Sequence, residues 1–153
     1  MLGRYGITPR DFARADWRWW RRFSQGGLTI EELRLGRMAD CGVVTNGTVD
    51  PQRVKAEQTG LLHLVAGVVV TEEIGFHKPD PRAFAAALAL TGDSAPRAAM
   101  VGDRWEFDIE GALEAGFRRA VWVSRSRRRP ADPRVKIVKS LPQVLPALLE
   151  RRA

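Results

Sequence analysis

A single cysteine, Cys41, excludes an internal disulfide, and its place beside Val43 and Val44 gives it the reading of a small buried residue with no redox role. No apolar run approaches the roughly 20 residues that a membrane-spanning helix needs. The N-terminal stretch MLGRYGITPRDF also lacks the apolar centre of a signal peptide. A soluble, cytoplasmic protein with no membrane partner is the expectation. Lysine is scarce: Lys55, Lys78, Lys136 and Lys139 are the only four among 25 basic residues. The net charge of +7 raises the question of nucleic acid, because phosphate contacts dominate such binding. The arginines, however, scatter from Arg4 to Arg152, with one dense patch at Arg125, Arg127, Arg128 and Arg129. That distribution suits a solvated surface better than a binding stripe, so nucleic acid is not expected as the main partner. Internal repeats and long disordered linkers are missing as well. With 153 residues, 44% of them apolar, the chain can bury one substantial core.

What the chain does contain falls into two textures. Before residue 41, Phe12, Trp17, Trp20 and Phe23 recur at helical steps among arginines, behind Thr8 and Pro9 as a helix start. A membrane-surface helix could use Trp17, Trp19 and Trp20 in this way, but packing on a partner element is the simpler account. LTIEELRLGRM then reads as a second short helix, with Thr29 and Glu32 as a capping box.

From residue 41 short apolar runs alternate with helical stretches. Cys41–Thr45, Ala66–Thr71, Ala98–Gly102 and Ala120–Ser124 read as buried strands of a parallel sheet. Between them, Asp50-Pro51 with a stop at Gly60, and Asp80-Pro81 with a stop at Gly92, mark capped helices. A third helix spans about Glu106 to Ala115. The tail adds an edge strand and a closing helix interrupted by Pro146. Strand and helix in alternation imply an open α/β sheet with helices on both faces.

In such sheets ligands bind beyond the carboxyl ends of the strands. The first strand ends in Thr45, Asn46 and Gly47, whose hydroxyl, amide and close-approaching backbone suit a phosphate oxygen. From these three residues alone an ordinary turn is the simpler account. Lys78 lies in GFHKPDPRAF, stiffened by two prolines, where an ammonium could neutralise a phosphate or steady a carboxylate. His77 beside it has no visible partner and is left out of the chemistry. Asp103 follows the third strand directly and Asp108 comes five residues later. The pair could hold Mg²⁺, which needs one or two carboxylates plus substrate oxygens, or could merely cap a helix.

VVTNGT, EEIGFHKPDPRAF and MVGDRWEFDIEGALEAG, in that order, closely resemble the second, third and fourth motifs of the haloacid dehalogenase superfamily, in the group with an early helical cap. The resemblance covers Cys41 to about Ser124. It implies a Rossmann-like α/β core at residues 41–153, preceded by a partial helical cap at 1–40. It implies Mg²⁺-dependent phosphomonoester hydrolysis of a small phosphorylated substrate. Thr45, Asn46 and Gly47 would bind phosphate, Lys78 would serve both phosphate binding and catalysis, and Asp103 and Asp108 would serve the metal, Asp108 through water or by orienting Lys78.

The superfamily's first motif is an apolar strand followed by Asp-x-Asp, which supplies the attacking carboxylate and the acid/base. No Asp-x-Asp occurs here, so the expectation is an N-terminally truncated chain that lacks the nucleophile and the central first strand. Without that strand, the strands ending in Thr45 and Gly102 must either pair directly or leave a gap. The alternative function is a non-catalytic remnant that binds a phosphorylated ligand, Mg²⁺ or a protein partner, with self-association or a strand-supplying partner completing the sheet.

Overall fold

The computed structural model describes residues 25–27, 38, 40–126 and 130–149. The two expected N-terminal helices, with Trp17, Trp19 and Trp20, and the arginines at 127–129 lie outside these residues. The cap therefore remains an expectation.

Strand β1 (Gly42–Thr45) is followed by helix α1 (Val49–Gln58), strand β2 (Gly67–Val70) and the short helix α2 (Thr71–Ile74). Helix α3 (Pro81–Thr91), strand β3 (Ala99–Gly102), a π-helical turn (Trp105–Glu110) and helix α4 (Gly111–Glu114) come next. Strands β4 (Arg119–Val123) and β5 (Val135–Val138) and helix α5 (Val144–Leu149) complete the order.

Helix α3 forms for reasons written in its sequence. It is rich in alanine and leucine, Pro81 occupies its first position, and the Asp80 carboxylate accepts the Arg82 backbone N–H at 2.9 Å. Gly92 closes it with a φ of 66°. Helix α1 departs from expectation. It begins at Val49 rather than after Asp50, its N-cap Thr48 makes no side-chain cap bond, and the Val49 N–H donates instead to Glu72 Oε2 at 2.6 Å. A tertiary carboxylate has taken over the capping role, leaving Asp50 in the first turn. Pro146 does not interrupt the last helix; it sits in the first turn of α5, where a missing N–H costs no helical bond.

All strand pairs are parallel, as expected for a helix-covered sheet, but the strands form two sheets. One is β1-β2, with Val44 opposite Val69; the other is β3-β4-β5, with Val121 opposite both Val101 and Lys136. Strands β1 and β3 do not pair, so of the two possibilities the sequence left, the described residues show the gap. The Cys41 carbonyl accepts from Ala66 N at 2.9 Å, which turns the backbone groups of residues 41, 43 and 45 toward β2. Those of Gly42 and Val44 therefore face the open edge. Cys41 itself is exposed, not buried, because it stands at the strand's outer start.

The three-stranded sheet is covered on both sides. Ala120 and Trp122 of β4 face Ile109 and Leu113, while Val121 and Val123 face Val144, Ala147 and Leu148. Helix α3 spans both sheets. Its Ala83 packs with Val44 and Val69, and the adjacent Phe84 packs with Ala112 and, edge-on at 5.7 Å, with Phe117. Met100 of β3 touches both groups.

Candidate functional site

The carboxyl ends of β1 and β3 and the loop between α2 and α3 meet at Lys78, a buried lysine with 9% exposure. The Asn46 side chain, 32 residues away in sequence, grips its backbone twice. Asn46 Nδ2 donates to the Lys78 carbonyl at 2.9 Å, and the Lys78 N–H donates to Asn46 Oδ1 at 2.9 Å. The ammonium is then aimed across the open edge of β1. It donates to the Val44 carbonyl at 3.0 Å and to Asp108 Oδ1 at 2.6 Å. An ammonium carries three donors and no acceptor, so one of its protons has no partner among the described residues. Desolvating this charge is tolerable because a carboxylate and a carbonyl meet it directly.

Asp108 is equally committed. Its Oδ2 accepts the backbone N–H groups of Asp103 (3.2 Å) and Arg104 (2.9 Å), so both oxygens are engaged. Gly102 makes the arrangement possible. A Cβ at that position would run into the Asp108 side chain and stand 2.6 Å from its Oδ2. The π-helical turn brings Asp108 back over the strand end, a local winding that recurs at functional sites.

Asp103 is held by its backbone instead. Its carbonyl accepts from Trp122 Nε1 at 2.9 Å, while its side chain is exposed and makes no hydrogen bond or ion pair with the described residues. Thr45 is half-buried and its hydroxyl donates to Gln52 Oε1 at 3.1 Å. Gly47 adopts a φ of 149°, and Gln52 Nε2 lies 2.9 Å from where a Cβ would stand. His77 Nδ1 lies 2.7 Å from the Thr71 hydroxyl, which braces the lysine loop from below. That loop is tied again where the Arg82 guanidinium binds Asp80 and lies 3.6 Å from the Phe76 ring centroid. The Arg82 guanidinium, and then the Arg82 backbone N–H, hold the Asp80 carboxyl down to about 2.

The structure thus joins Asn46, Lys78 and Asp108 through hydrogen bonds, with Thr45, Gly47 and Asp103 on the segments that carry them. Among the described residues no three acidic, histidine or cysteine side chains converge as a ready-made metal centre. The donor set still fits a hard cation in one respect: Asp103 offers an uncommitted carboxylate, and Mg²⁺ takes one or two carboxylates and keeps several waters. Sequence reasoning missed Gln52 and the Val44 carbonyl. Gln52 had a signal, lying in the first turns of the helix that follows Gly47; the carbonyl had none.

A family model described as haloacid dehalogenase-like hydrolase matches residues 28–116. The chain belongs to this hydrolase family. Among its relatives, the phosphoserine phosphatase of Thermus thermophilus is 41% identical over 127 residues, 81% of this chain and 50% of that protein. The glyceraldehyde 3-phosphate phosphatase of Methanopyrus kandleri is 38% identical over 93 residues, covering 61% of this chain and 40% of that one. A crystal structure of a HAD phosphatase from Thermococcus onnurineus superposes with a TM-score of 0.57 at 29% identity, covering 65% of this chain and 46% of that one. The chain therefore spans about half the length, or less, of these haloacid dehalogenase-like relatives.

Proposed function

We propose that this chain carries the phosphate- and cation-binding half of a phosphomonoester hydrolase site, acting on a small phosphorylated substrate. The observation that carries the reading is the Lys78 ammonium at the strand ends, buried, aimed by Asn46 and Asp108, and left with one proton unspent among the described residues. Phosphoryl transfer is helped mainly by positioning and by neutralising charge on the phosphoryl oxygens. Lys78 supplies fixed positive charge, and a charge-assisted bond from it is roughly twice as strong as a neutral one. The Thr45 hydroxyl and the backbone at Asn46 and Gly47 supply neutral donors. The exposed Asp103 carboxylate would hold Mg²⁺, which when bound would offset phosphate charge; Asp108 serves by orienting Lys78. The phosphatases among the relatives support phosphomonoesters as the substrate class.

The attacking carboxylate is not in this sequence, which contains no Asp-x-Asp. The chain by itself therefore binds the anion without turning over a phosphomonoester. Calorimetric titration with inorganic phosphate in the presence of Mg²⁺ tests this, beside an assay with p-nitrophenyl phosphate. Binding that weakens about tenfold in Asp103→Asn, with no hydrolysis, is the expected result. Binding indifferent to Asp103→Asn removes the cation role, and steady hydrolysis shows that another group here attacks phosphorus.

One observation favours a second reading: among the described residues the facing edges of β1 and β3 are unpaired, so a partner or a second copy could supply a strand and the module could serve binding alone. A chain that stays monomeric in analytical ultracentrifugation and binds phosphate with no second component would exclude it.

A further inference from the structure

We propose that Gln52 controls the Thr45 hydroxyl, making it a positioning residue for phosphate capture; the inference rests on the phosphate-site reading above. Thr45 has one O–H proton, and of the two acceptors within its reach Gln52 Oε1 at 3.1 Å is nearer than the Asn46 carbonyl at 3.5 Å, so the proton goes to Gln52. A phosphoryl oxygen carries only acceptors, so Thr45 can serve it only by releasing that bond. Left as it stands, the hydroxyl is committed elsewhere.

The Gln52 amide resolves the conflict by turning over. Its Nε2 then donates to a lone pair of Thr45 Oγ1, and the Thr45 proton is freed for the anion. The result is a chain running N–H to O–H to phosphate oxygen, in which each bond polarises the next. The space this needs is already present. Gly47, with its φ of 149°, leaves Gln52 Nε2 lying 2.9 Å from the position a Cβ would occupy, so the amide sits against bare backbone. Gln52 is also well placed to follow a ligand, being half-buried on α1 and not among the residues that lock Lys78.

The test uses the 153-residue chain, inorganic phosphate and Mg²⁺. In Gln52→Met, which keeps the side chain's length and removes both polar atoms, phosphate affinity falls about fivefold, the scale of one neutral hydrogen bond. Thr45→Val falls by about tenfold or more, and the double variant is no worse than Thr45→Val, because Gln52 acts only through Thr45. Gln52→Glu, which accepts but cannot donate at neutral pH, does not restore the loss. In nitrogen-15 spectra the Gln52 side-chain NH₂ pair, identified by its absence from Gln52→Met, shifts on phosphate addition in the wild-type chain and stays still in Thr45→Val. Losses that multiply in the double variant, or a Gln52 amide that does not respond to phosphate, overturn the proposal. Wild-type chain that binds no phosphate overturns both this inference and the reading beneath it. Binding abolished by Lys78→Met but unchanged in Gln52→Met overturns the inference alone.

Discussion

Replacing Lys78 with methionine removes an ammonium from a place where water cannot substitute for it. The side chains of Lys78 and Asp108 retain 10% and 6% exposure, so the carboxylate left behind is desolvated and loses its 2.6 Å partner. Breaking a buried pair by deleting one member costs about 3–5 kcal/mol. Asp108 Oδ2 keeps two backbone N–H donors, which places the cost near the lower end, while the Val44 carbonyl loses the ammonium that meets it. With a urea dependence of about 2 kcal/mol per molar, a loss of about 3 kcal/mol lowers the unfolding midpoint by about 1.5 M. Urea titration followed by tryptophan fluorescence, with circular dichroism as a second probe, measures it. The control is Lys78→Met with Asp108→Asn, in which no lone buried charge remains; about half the loss returns. A midpoint for Lys78→Met within about 0.5 M of the wild-type value would show the ammonium to be solvated, and the clamp at the strand ends would not exist.

Two further outcomes follow from the geometry. Gly102→Ala places a methyl group in the Asp108 side chain, and the overpacking costs roughly 1–3 kcal/mol in urea unfolding while phosphate affinity falls with the displaced Lys78 partner; unchanged stability and affinity would refute the close approach. Asp80 titrates at about 2 instead of 3.8, a depressed carboxyl, so its contribution to folding is complete above pH 4 and is lost as pH falls through 2. Carbon-detected NMR of the Asp80 carboxyl reads the midpoint directly, and in Arg82→Ala it returns toward the ordinary value.

Much of the core could be read from the chain because its signals are local. Ala99–Gly102 and Arg119–Val123 are short apolar runs ended by turns, and Asp80-Pro81 with Gly92 is a complete set of helix limits within α3. The strand ends were legible for a related reason: Thr45, Asn46 and Asp103 stand there, which chain order alone identifies. What escaped depends on partners distant in sequence. Glu72 replaces Asp50 as the cap of α1, a substitution that no pattern within α1 can reveal. The Asn46 side chain looked like a ligand group and is spent on the Lys78 backbone. The π-helical turn at Trp105–Glu110 reads locally as ordinary helix, and the close approach of Gly102 to Asp108 is what it serves.

Helix α3 has a consequence for how the molecule comes apart. Its successive residues Ala83 and Phe84 seal different sheets, and with Met100 bridging the two groups neither sheet can detach without stripping one flank of the same helix. Local openings that release a single sheet are thereby penalised, and the two halves melt as one cooperative unit. The amides of α3 should exchange with solvent only through global unfolding, which makes this helix, rather than either sheet, the gauge of the protein's total stability.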